Sequence, residues 1–177
     1  MPFRIKERLF CVLLLTFVAI VTFVSVLFLW LGHPPKETKL IEGFYKHKPR
    51  YEQLRNMLQT DTKVSRVAPW GIETTDSVGV STPPQGGMSL NRYSEYLALF
   101  KEIGAIGASR SPGESTGNVA IRLWASGFAG NTKHIDICWL EKEPTDQVGS
   151  LDQYRRASKS RHPVFRRIEG NWYLWAD

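Results

Sequence analysis

The sequence predicts an α+β chain: an amino-terminal transmembrane helix, then helices packed on a curved antiparallel β-sheet. Three observations predict it. A 23-residue run near the start carries no charge, proline or glycine. Apolar residues recur at helical spacing over residues 40–58 and 93–103. Beyond that point they alternate at a period of two, in short stretches separated by Gly, Pro, Asn and Ser.

The run is residues 9–31, "LFCVLLLTFVAIVTFVSVLFLWL". As a helix it reaches roughly 34 Å, enough to cross the hydrocarbon core with modest tilt. It ends "FLWLGHPPKE", without the small-x-small site of a cleaved signal peptide, and Cys11 lies too early to read as a lipidated cysteine. A signal anchor is therefore expected. Arg4, Lys6 and Arg8 precede the run, Arg8 abuts it, and the far side opens with uncharged "GHPP". That order keeps residues 1–8 cytoplasmic and sends the remainder across the inner (cytoplasmic) membrane of a bacterium into the periplasm, as a single-pass protein. The expected division is a tail 1–8, an anchor 9–31, a juxtamembrane helical segment 32–61 and an extracytoplasmic α+β domain 62–177.

In the juxtamembrane segment Leu40, Ile41, Phe44, Tyr51, Leu54 and Leu58 share one helical face, and Pro49 makes this one kinked helix or two short ones. "VSRVAPWGIETTDSVGVS" reads as strands about a Pro-Trp-Gly turn. Ser89 is an N-cap, Tyr93, Tyr96, Leu97, Phe100 and Ile103 form an apolar stripe, and Gly104 closes a helix over 89–104. "AIGASR" is a short strand. "NVAIRLWASGF" and "HIDICWL" form a hairpin. A three-residue loop, Gly130 to Thr132, pairs Leu123 with Trp139 and Ala125 with Ile137, keeping the large aliphatics together. "GSLDQYRR" is a helical turn capped by Ser150. A last hairpin turns at Glu169-Gly170-Asn171-Trp172 and sets Arg166 opposite Trp175 and Ile168 opposite Tyr173.

The hairpin register puts Arg122, Trp124, Ser126, Phe128, His134, Asp136 and Cys138 on the face away from the aliphatics. Aromatics mixed with a few convergent polar groups suit a half-open ligand pocket, or a sheet face whose polar groups pair with one another. Arg122, Trp124, Ser126, His134 and Asp136 are the candidate ligand-binding residues. Ser126 falls opposite Asp136 in this register, yet no nucleophile elbow accompanies it, so no catalytic residue is assigned. His134 and Asp136 supply two metal ligands at most, and His47 or His162 would have to come from distant segments. No metal and no cofactor is expected. "AIGASRSPGESTG" lacks the Lys-Ser/Thr ending of a phosphate loop.

The net charge is +6 over 177 residues, and the basic run holds Arg155, Arg156, Lys159, Arg161, Arg166 and Arg167. Without a recognisable module this does not argue for nucleic acid; it reads as a solvated loop or a contact for anionic lipid or an acidic partner. Cys138 stands alone in the domain, so no internal disulfide forms, and its "ID…WL" context is that of a packed strand residue.

The phrases "FYKHKPRYEQLRNML", "LWASGFAGNTKH" and "IEGNWYLWAD" resemble those of uncharacterised bacterial single-pass membrane proteins with a small extracytoplasmic domain. The layout loosely resembles NTF2-like or cystatin-like sheets that wrap a helix. Neither resemblance implies an activity, a cofactor or a site residue. The expectation is a membrane-anchored binding or interaction module that contacts the bilayer through 9–31 and engages another envelope protein or a small ligand. The alternatives are an enzyme using the His134/Asp136 face and an inhibitor or immunity-like protein.

Overall fold

The computed structural model describes residues 14–23, 33–76, 79–83, 85–110, 117–127, 132–157 and 162–177. The chain divides into two compact units, Met1–Pro34 and Pro35–Asp177. In the first, residues 14–23 are helical (α1). Among the described residues no helix is long and apolar enough to cross a membrane. Most of the run 9–31 expected to do so lies outside them.

The second unit begins with α2 (Glu37–Thr60), followed by β1 (Val64–Ala68), β2 (Gly71–Thr74), β3 (Val80–Ser81) and α3 (Leu90–Ile103). Then come β4 (Gly107–Arg110), β5 (Val119–Ser126), β6 (Lys133–Trp139), α4 (Leu151–Ala157), β7 (Val164–Glu169) and β8 (Trp172–Ala176). The strands make one sheet in the order β3-β2-β1-β4-β5-β6-β8-β7, antiparallel throughout.

Each helix has a local cause. α2 is a single kinked helix: His47 leaves helical geometry at φ −116°, ψ 19°, two residues before Pro49, whose ring clashes with the preceding turn. Its last carbonyls are not left bare, because the Arg110 guanidinium of β4 donates to Leu58 O (3.0 Å), Gln59 O (3.1 Å) and Thr62 O (3.2 Å). α3 starts where the Ser89 hydroxyl accepts from Arg92 N at 3.2 Å, and ends on Gly104 in the left-handed region at φ 71°. α2 brings Phe44, Tyr51, Leu54 and Leu58, and α3 brings Tyr96 and Phe100, to a core shared with Val67, Ile72, Ile121, Ile137 and Leu174 of the sheet. α2 is thus part of the folded unit.

Two β-bulges correct the expected registers. In the β5–β6 hairpin Val119 faces Trp139 and Ile121 faces Ile137, four residues along β5 from the expected alignment but on the same faces. The register then shifts between Arg122 and Trp124, so that Trp124 lies opposite Ile135. A bulge sends every later side chain to the other face. The turn expected at 130–132 lies mostly outside the described residues. In the last hairpin Glu169 faces Trp172 across the turn, but a shift between Arg167 and Glu169 places Phe165, not Arg166, opposite Trp175, and Arg167 opposite Tyr173.

Glu37, the first residue of α2, ties both ends of the unit together. It is only 6% exposed. Its carboxylate accepts from the backbone N–H of Leu151 and from the Ser150 hydroxyl at 3.2 Å, and pairs with Arg166 of β7. In return the Asp152 carboxylate accepts from Glu37 N at 3.3 Å. Two helix N-termini therefore cap each other, each carboxylate meeting unsatisfied N–H groups and the positive end of a dipole.

Candidate functional site

The sheet face away from the main core is built by alternation. On β6, His134, Asp136 and Cys138 point there. β8 lies beside β6, with Trp175 opposite Asp136 and Tyr173 opposite Cys138. A second, smaller apolar cluster results: Cys138, Leu140 and Tyr173 buried, with Ala120, Phe165 and Trp175 packed against them.

Arg122 on β5 directly faces Asp136, and the two form a bidentate pair, Nε to Oδ1 at 3.1 Å and Nη2 to Oδ2 at 3.2 Å. Asp136 is 2% exposed. Burial raises its carboxyl above the ordinary 3.8, and the Arg122 guanidinium, by hydrogen bond and charge, pulls the other way. One strand position on, the Asp177 carboxylate accepts from His134 N at 2.5 Å and meets His134 Nδ1 at 3.1 Å. The Trp175 indole stacks beside the imidazole, 6.4 Å between centroids and 13° between planes. Burial also pushes the Cys138 thiol well above 9.0, with the Asp136 charge adding to it, so it is a packed side chain and not a nucleophile.

Of the five residues expected at a site, the structure brings three together: Arg122, His134 and Asp136. Trp124 and Ser126 are corrected by the bulge. Trp124 crosses over and packs against the main core, and Ser126 faces Lys133 instead of Asp136. No Ser-His-Asp arrangement forms from these residues, since His134 is oriented by Asp177 and Asp136 is committed to Arg122. Phe128 lies outside the described residues. Among the described residues no group of three or more His, Cys, Asp or Glu could hold a metal ion.

Asp177 and Trp175 were not expected at the site. Their signal was the alternation Tyr173, Trp175, Asp177 in "WYLWAD", but nothing local said that this strand lies beside β6 as well as β7. Chemically, the face offers an imidazole oriented by a carboxylate, an indole beside it and, on the neighbouring positions, an ion pair whose carboxylate is buried. No family model matches the chain, and neither a curated protein nor a solved structure matches it.

Proposed function

We propose that this chain is a membrane-anchored, extracytoplasmic binding module that engages a partner through the β5–β6–β8 face around His134 and Trp175. The observation that carries it is the Arg122–Asp136 pair, whose carboxylate is buried and whose guanidinium is partly exposed. A charge pair taken out of water costs stability that an apolar pair of similar volume would not. Such a pair, on the same sheet face as a half-buried imidazole and indole, suits a face kept polar for recognition. The anchored half of the reading rests on the charge-free run 9–31.

The test is capture from detergent-solubilised envelope by the full chain and by a variant carrying Trp175→Leu and His134→Gln. One stoichiometric partner held by the wild type and lost by an equally stable variant supports the reading. A partner held equally by both, or none for a folded protein, overturns it.

One observation favours a second reading. The Asp177–His134 contact at 3.1 Å is the orienting half of a general base, able to move a proton at Nε2. An enzyme built on it would lose turnover on Asp177→Asn with its fold unchanged, whereas a binding module would not turn anything over.

A further inference from the structure

We infer that the end of the folded unit where α2 begins and α4 packs is a surface for anionic phospholipid headgroups, presented by Lys36, Lys39 and Arg156. This rests on the anchored reading above.

Connectivity supplies the first reason. With a span ending at Leu31, Glu37 follows six residues later, at most about 20 Å of extended chain. Within it Pro34 and Pro35 have fixed φ, and Lys36 is extended at φ −65°, ψ 139°. With such a span, connectivity alone keeps the start of α2 within that reach of its end.

Mutual capping supplies the second. Because Glu37 and Asp152 satisfy each other's helix ends, α4 cannot leave that position without exposing buried charge. Whatever α4 carries is held there too. It carries Arg155 and Arg156, the latter folded back with its Nε donating to Asp152 O at 3.1 Å. Arg155 is half-buried and attracted by Asp152 and Asp177, while Lys36, Lys39 and Arg156 are exposed.

Charge supplies the third. The Glu37 carboxylate at this end is already neutralised by Arg166, so it does not offset the exposed cations. Basic side chains within a Debye length of an anionic leaflet are attracted to it, each contributing separately.

The experiment uses the full chain with Cys11→Ser and Ala157→Cys, an exposed position at the end of α4, carrying a fluorophore. It is placed in nanodiscs of phosphatidylcholine alone or with phosphatidylglycerol, each with a headgroup-quencher lipid. The expected result is quenching that is stronger in the anionic discs. It should be lost in high salt and lost again in a Lys36→Gln, Lys39→Gln, Arg156→Gln variant of unchanged circular dichroism. A chain that resists alkaline extraction from the discs, yet shows no quenching or equal quenching in both lipids, overturns the inference and leaves the anchor standing. A chain that is stripped from the discs overturns the anchored reading, and this inference with it.

Discussion

The two faces of the sheet are made from the same strands and differ in kind. Ile137 and Cys138 are neighbours on β6. Ile137 points into a core that two helices complete, and Cys138 into a small cluster whose edge is a charge pair, an imidazole and an indole. The core face is stabilised by area removed from water, a non-directional effect that tolerates exchange of like for like. The opposite face depends on particular atoms: a guanidinium fork on one carboxylate and a histidine on another. A fold needs the first kind of face, whereas a function is more often written on the second.

The comparison breaks most visibly at Phe44. It is fully buried, and its ring lies against Tyr51 and Trp172. Phe44→Ala should cost about 3–5 kcal/mol, read as a large drop in the urea midpoint, and would unfold the unit if its margin is small. The opposite face should fail differently. Arg122→Met leaves Asp136 buried without its cation and should cost about 2–3 kcal/mol, since Arg122 is itself a quarter exposed. The double variant with Asp136→Leu should recover most of that loss. Recovery in the double-mutant cycle would show that the pair is not retained for stability; no recovery would make this face a second structural core.

A smaller effect sharpens the same point through pH. The folded-state carboxyl of Asp136 is raised above its ordinary 3.8, so protonation favours the fold. The stability it contributes is complete below 3.8 and is lost as pH rises through the raised folded value. Compared with Asp136→Asn, whose side chain does not titrate, the wild type should gain stability on acidification from neutral pH towards 4, measured by urea unfolding at each pH. A parallel pH dependence in both would remove Asp136 as the cause. Smallest of all, Cys138→Ala should cost about 1 kcal/mol, and native Cys138 should resist thiol reagents until the protein unfolds. Rapid labelling in the folded state would show that this face opens.

Much of the fold was legible because its causes are local. Ser89, the stripe Tyr93 to Ile103 and Gly104 each act within a few residues, and α3 has the bounds they imply. Pro49 announced the kink that His47 shows. The site was only half legible. His134, Asp136 and Arg122 share a face because period-two alternation carries as far as Arg122. Trp124 and Ser126 were misplaced because a bulge is one extra residue with no strong sequence mark, and the stretch "RLWAS" has neither Gly nor Pro to signal it. The shift between Arg167 and Glu169 defeated the Arg166–Trp175 pairing in the same way.

The sequence by itself determined the helical stretches after residue 36, the serine caps of α3 and α4, the alternation of the strands and the long apolar run at the start. Those follow from backbone conformation and from periodicity, which act over a few residues at a time. Only the tertiary structure decided that β8 lies between β6 and β7, bringing Asp177 to His134, and that Glu37 reaches Ser150, Leu151 and Arg166. These are contacts between residues more than forty, and in the second case more than a hundred, positions apart. Strand order and buried ion pairs minimise the energy of the whole packed unit, and no short stretch of chain carries that information.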